Sequence, residues 1–204
     1  MKFLRTHIYH TCIGVFLIGI LWIITSCINL DYDEFKNIPD IKFSGHGDIT
    51  RSSLAYHFGY QRGYNSSNTK IPTNVQIVQL DEKYKPVDYY WFRSFNSWFK
   101  DSLFNNGLLS LGNNSSNLDC DNYSMLYKSF MSTAAYKSGA TIEPASCLII
   151  TRQVYEFGGL PTGGAHMLVM VMTNQGWYVV EPQTGEFDKL EKYPNQEYIT
   201  TLIF

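Results

Sequence analysis

The sequence predicts an α+β fold in which helices come first and strands follow. Two segments carry apolar side chains at helical spacing, around residues 86–106 and 120–137. The segments after residue 147 show the alternating or continuous apolar runs that are typical of strands. This order indicates N-terminal helices packed on an antiparallel β-sheet.

The first elements are a short strand and an aromatic-rich helix. Alternation predicts the strand at 75–80, Pro86 can begin the helix, and Asn106-Gly107 ends it. The apolar positions of this helix recur at helical period and are Trp91, Phe95, Trp98, Phe99 and Leu103. Such a stripe favours core packing over the lining of a substrate groove.

The second helix is predicted at about 120–137 and ends at Ser138-Gly139. Its expected inner face consists of Met125, Leu126, Phe130 and Ala134. Strands are predicted at 147–154, 165–172, 177–181 and 198–204, and the turn 173–176 joins two of them in a hairpin.

The N-terminus has the layout of an export signal. Lys2 and Arg5 form a short basic region, and an apolar run follows at 12–24. The run ends in Ile-Thr-Ser-Cys27, which resembles the lipobox of bacterial lipoproteins. We therefore expect a lipoprotein signal peptide at 1–26 and a lipidated Cys27, with an uncleaved anchor helix as the alternative.

Three segments follow from this interpretation. After the signal peptide, residues 27–73 form the lipidated N-terminus, a tether and an irregular N-terminal part, because they are polar and weakly periodic. Residues 74–204 form the main domain. It is expected to be extracytoplasmic and lipid-anchored to a bacterial membrane. The net charge of −2 and the absence of a basic run exclude nucleic acid as a partner.

Two cysteines remain for the folded domain, Cys120 and Cys147. A disulfide between them is one interpretation in an oxidising compartment. The other is that Cys147 is a buried thiol, since it opens an apolar run that reads as a strand.

The hairpin places a histidine beside an acid. If Met172 faces Trp177, then His166 and Glu181 lie on one face of the sheet as diagonal neighbours. An odd-length turn would separate them. Side by side, they would form a base and the carboxylate that orients it.

Cys120 would supply the nucleophile. A thiol at a helix N-terminus is stabilised as the thiolate by unpaired N–H groups and by a nearby imidazolium. The flanking Asp119 and Asp121 oppose this through like charge, so helix capping is their expected role.

These residues carry a family resemblance. A cysteine at a helix start in an Asp-Cys-Asp context, a histidine opening a strand and an acid on the next strand resemble the transglutaminase-like branch of papain-like enzymes. Within that branch, DCDNYSMLYKS and GAHMLVMV are similar to the bacterial transglutaminase-like cysteine proteinases, an exported group that clips surface proteins. The resemblance covers about residues 118–186, and Glu181 stands where the family usually has Asp.

The resemblance implies a papain-like, transglutaminase-like fold and a cysteine hydrolase with the triad Cys120, His166 and Glu181. The substrate would be a protein or peptide of the cell envelope. The alternatives are a peptidoglycan-peptide amidase and a non-catalytic lipoprotein that binds an envelope protein.

The sequence does not decide whether the site binds a metal ion or which residue supplies a second oxyanion donor. No cofactor is required, but calcium is an option because some members of the group bind it through acids near the active site, and Asp119 and Asp121 could serve. The Cys120 N–H would supply one oxyanion donor, and the nearest amides for a second are Asn113, Asn114 and Asn117.

Overall fold

The computed structural model describes residues 37–50, 52, 53, 58, 70–72, 74–108 and 118–204. Within this part, residues Ile38–Phe204 form one compact unit. The expected signal peptide, the expected lipidation site Cys27 and the three candidate oxyanion amides lie outside the described residues. No helix among the described residues combines the length and the apolar character needed to cross a bilayer.

Two α-helices lie ahead of the main strands in the described part of the chain. Helix α1 spans Tyr89–Asn105 and helix α2 spans Cys120–Lys137. The strands are β1 (Ile49–Thr50), β2 (Gln76–Val78), β3 (Lys83–Lys85), β4 (Glu143–Pro144), β5 (Ser146–Arg152), β6 (Ala165–Thr173), β7 (Gly176–Glu181), β8 (Glu186–Lys189) and β9 (Ile199–Ile203). Helices and sheets together make an α+β fold, as the sequence predicts.

Helix α1 begins three residues later than predicted from Pro86. Asp88 is its N-cap, and its carboxylate accepts the backbone N–H groups of Tyr90 and Trp91 at 3.0 Å each. The helix ends at Asn106, and Gly107 follows in the left-handed region at φ 66°. Most of the predicted apolar stripe is buried, namely Trp91, Phe95, Phe99 and Leu103.

The larger sheet has the strand order β2-β9-β5-β6-β7-β8. Its central and β8-side pairs are antiparallel, but β2 pairs with β9 in parallel. A smaller sheet, β1-β3-β4, also contains a parallel pair between β3 and β4. The expectation of a purely antiparallel sheet is therefore wrong at these strands. β2 and β3 precede the helices in the chain, and each runs in the same direction as the later strand with which it pairs, β9 and β4 respectively.

The two faces of the larger sheet carry different layers. On one face, Phe92 of α1 packs against Tyr178 and Phe187, with ring centroids 5.5 and 5.1 Å apart. The opposite face carries a core of alternate strand residues, such as Leu168 and Val179, and earlier parts of the chain. That core includes Ile49 and Phe58 from the segment that the sequence analysis described as irregular, as well as the C-terminal Phe204.

The predicted inner face of helix α2 is only partly correct. Met125 was expected inside but is exposed, at 51% of its surface, whereas Phe130 and Ala134 are buried. The buried face also contains Tyr123, Ser124, Tyr127, Met131 and Ala135. The prediction was wrong at Met125 because it followed apolar character alone, while tyrosine and serine carry the inner face through their hydrogen bonds.

Candidate active site

The predicted hairpin register is present. Met172 pairs with Trp177, and Thr173 pairs with Gly176 across a two-residue turn. His166 and Glu181 therefore share a face of the sheet, and His166 Nε2 lies 2.6 Å from Glu181 Oε2. The base and its orienting carboxylate are in direct contact.

Glu181 is completely buried and both of its oxygens have partners. Oε2 contacts the His166 ring, and Oε1 accepts the backbone N–H of Gln183 at 3.0 Å. A buried carboxylate is tolerated only when such partners replace water. Its orientation toward the imidazole is consequently fixed from both sides.

The Cys120 thiol completes the group. Its hydrogen bond with the His166 side chain lowers the pKa of Cys120, and although burial raises that pKa, the backbone N–H of Met167 lowers it further. Because Nε2 of His166 is used by Glu181, the ring presents Nδ1 to the sulfur. Cys120 is partly exposed.

The imidazole is held in its protonated form. Burial lowers the pKa of His166, but hydrogen bonds to Cys120 and Glu181 outweigh burial and raise it to about 9. With the pKa of the thiol lowered and that of the imidazole raised, the site favours a thiolate beside an imidazolium.

The other cysteine of the described domain takes no part in this arrangement. Cys147 is free and completely buried, and burial raises the pKa of its thiol strongly. The disulfide between Cys120 and Cys147 is absent, and the buried-thiol interpretation describes Cys147 correctly.

Helix α2 is joined to β6 through the backbone of Met167. The β6–β7 ladder ends at the Val169–Val180 pair. Beyond it, the Met167 carbonyl accepts the hydroxyl of buried Ser124 at 3.0 Å, while the Met167 N–H donates to Cys120. The sequence analysis missed Ser124, although its position one helical turn after Cys120 places both on one helix face.

One of the two acids beside the thiol caps the helix. Asp119 is the N-cap, its carboxylate accepts the Asn122 N–H, and the Asn122 side chain accepts the Asp119 N–H at 3.2 Å. A hydrogen bond between the two acids lowers the pKa of Asp119 and raises that of Asp121. The negative charge of Asp119 raises the pKa of Cys120, but the His166 hydrogen bond lowers that pKa by more.

Calcium binding by Asp119 and Asp121 stays a prediction. The ion takes six to eight oxygen ligands. In the part of the chain that the structure describes, no group of three or more His, Cys, Asp or Glu side chains could hold a metal ion. Asp119 and Asp121 already bond to each other and to the helix start, so no step of the reaction is assigned to calcium.

A buried asparagine connects the helices to the turn after Glu181. Asn96 of α1 donates to the Gly185 carbonyl at 2.6 Å and accepts the Tyr127 hydroxyl of α2 at 3.2 Å. The N–H of Gly185 in turn donates to the Glu181 carbonyl at 2.8 Å. Sequence reasoning missed Asn96 because it lies between aromatic positions of the α1 stripe.

Comparison with known proteins supports the fold and leaves the family open. No family model and no curated protein matches the chain. Solved structures do match, among them one described as "PSL1a-E64 complex", with a TM-score of 0.52 and 14% identity. The alignment covers 77% of this chain and half (50%) of that chain. At this identity the likeness concerns the fold alone.

Proposed function

We propose that this chain is a membrane-tethered, extracytoplasmic cysteine hydrolase with a papain-like, transglutaminase-like fold. The observation that carries the proposal is the continuous chain of contacts from the Cys120 thiol through His166 to the buried Glu181. A nucleophile, a base and an orienting acid in this arrangement are the requirements of covalent acyl transfer.

The reaction begins from the thiolate–imidazolium pair. The Cys120 sulfur attacks the carbonyl carbon of an amide, and the C–N bond breaks as His166 Nδ1 delivers its proton to the leaving amine. Water then attacks the resulting thioester and gives a proton to the neutral imidazole. The C–S bond breaks, which releases the acid and restores the ion pair.

Glu181 acts through His166 throughout this cycle. Its carboxylate fixes the ring so that Nδ1 faces the sulfur, and it stabilises the imidazolium. The Cys120 backbone N–H, at the start of α2, is proposed to bind the oxyanion. A second donor from Asn113, Asn114 or Asn117 stays a prediction.

The solved structure with the similar fold suggests a probe. It is described as a complex with E64. We therefore expect E64 to modify Cys120 of this chain, and peptide-level mass spectrometry would locate the adduct. Because Cys147 is buried, it serves as the internal control that should stay unmodified in the native protein.

The decisive experiment measures the alkylation rate of Cys120 by iodoacetamide from pH 5 to 8. The proposal expects faster reaction than free cysteine at the acid end of this range, and loss of the advantage in His166→Gln. A Cys120 thiol that reacts no faster than free cysteine, and a His166→Gln variant with the same rate, would contradict the enzyme proposal and favour a binding lipoprotein.

The substrate class requires a second assay. Envelope proteins and peptidoglycan stem peptides would each be incubated with wild-type protein and with Cys120→Ala. Cleavage of protein by the wild type alone supports the proteinase, whereas cleavage of stem peptides alone supports the amidase.

A further inference from the structure

A glycine packs closely against the Glu181 side chain. A Cβ atom added at Gly158 would lie 2.6 Å from Glu181 Cγ and 2.7 Å from Glu181 Cβ, with Thr184 Oγ1 at 3.1 Å. Carbon atoms do not approach this closely without displacement of one of them. Because both carboxylate oxygens of Glu181 are engaged, its side chain cannot move away without losing a hydrogen bond.

The segment that carries Gly158 is itself fixed. The neighbouring Phe157 is buried and packs edge-on against Tyr193, with centroids 5.0 Å apart. Buried Gln153 donates from Nε2 to the carbonyls of Leu160 and Pro161 at 3.0 and 3.2 Å. A side chain added at Gly158 would therefore press on Glu181 and could not be relieved by an outward movement of the turn.

We propose that Gly158 is a positioning residue whose bare backbone packs against Glu181, keeps water from its carboxylate and holds it on the His166 ring. The inference rests on the proposed function, since it assigns Gly158 to the support of the same triad. It also explains why a glycine pair stands shortly before the β6 strand. The turn serves as a wall of the site and not only as a connection.

Gly159 provides a matched control. Gly158 and Gly159 have nearly the same positive φ, 68° and 70°, so an alanine at either position is strained by a left-handed φ. Nothing lies within 4 Å of a Cβ atom added at Gly159. The difference between Gly158→Ala and Gly159→Ala therefore isolates the contact with Glu181.

The test measures the pH dependence of Cys120 alkylation by iodoacetamide in the full chain, with peptide-level detection. We expect Gly158→Ala to raise the apparent pKa of the thiol by about one unit, which lowers the reactive thiolate about tenfold at acid pH. Gly159→Ala should retain the wild-type profile. Glu181→Gln should shift the pH profile of alkylation at least as far as Gly158→Ala does. The double variant Gly158→Ala/Glu181→Gln should show no further shift beyond that of Glu181→Gln.

Each outcome separates this inference from the proposed function. A wild-type protein without reactivity at acid pH removes the proposed function itself. A reactive wild type with equal profiles for Gly158→Ala and Gly159→Ala overturns only the role of Gly158. If Gly158→Ala does not fold, Phe157→Leu replaces it. That variant loosens the turn, so a shift in the same direction supports the inference and an unchanged profile overturns it.

Discussion

The Ser124 hydroxyl donates to the Met167 carbonyl, and 3.0 Å separates the two oxygens. Through this bond a buried side chain of α2 meets the β6 backbone one residue after His166. The Met167 N–H donates to the Cys120 thiol. The Cys120 thiol and the His166 imidazole come from different elements. They are thus held in register by one peptide segment and not by their mutual contact alone.

The first prediction removes this bond. Ser124→Ala leaves the Met167 carbonyl without its hydroxyl partner and should reduce the free energy of unfolding by about 0.5–1.5 kcal/mol. It should also raise the pKa of Cys120, because the Met167 N–H is no longer directed firmly at the sulfur. Chemical denaturation and the pH profile of alkylation measure the two effects.

Ser129→Ala is the control for this prediction. Ser129 is on the same helix and is exposed, and its hydroxyl donates to the Met125 carbonyl one turn earlier, at 2.8 Å. Ser129→Ala should leave both the free energy of unfolding and the pH profile of alkylation near those of the wild type. Equal effects of the two substitutions would show that the Ser124–Met167 bond has no special importance.

The hairpin was predictable because strand alternation is a strict geometric rule. Once Met172 and Trp177 are paired, His166 and Glu181 must share a face, and the pairing follows from the short turn between them. The thiol at the start of α2 and the Asp119 cap were predictable for a similar reason, since they depend on local sequence.

The supports of the site could not be predicted in the same way. The contact between Gly158 and Glu181 joins residues that are neighbours only in the folded chain, and the bond of Asn96 to Gly185 spans 89 positions. The parallel pairing of β2 with β9 is also non-local. Alternation and helical period specify which face a residue takes, but not which distant segment lies against that face.

The second prediction concerns Asn96. Asn96→Ala leaves the buried Tyr127 hydroxyl and the Gly185 carbonyl without partners, and should cost about 2–4 kcal/mol in the free energy of unfolding. Tyr127→Phe removes only one of the two bonds, so it should cost clearly less. Thermal or chemical denaturation of both variants gives the comparison, and an equal loss would argue against Asn96 as a link between the helices and the turn.

The third prediction concerns the charge on His166. The imidazole should titrate with a pKa of about 9, which NMR of the ring protons or nitrogens can measure. In Glu181→Gln the pKa should fall, because the hydrogen bond and charge that oppose burial are lost. It should also fall in Cys120→Ala. A His166 that titrates near 6.5 in the wild type would show that the ion pair does not form.

The last prediction follows from the sign of these shifts. The raised pKa of His166 contributes stability that is complete below the unfolded value of 6.5 and is lost as pH rises toward about 9. The lowered pKa of Cys120 acts in the opposite sense, since its contribution is gained as pH rises through the lowered thiol value. Between the lowered thiol value and about pH 9 the two changes offset each other, because the folded ion pair and the unfolded pair each hold one proton. Wild-type stability should therefore be nearly flat in that window, whereas Cys120→Ala should lose stability progressively from pH 6.5 upward.

Denaturation of both proteins at several pH values measures this difference, with the Cys120→Ala/His166→Gln double variant as the baseline. Parallel curves of unfolding free energy against pH for the wild type and Cys120→Ala would contradict the thiolate–imidazolium pair.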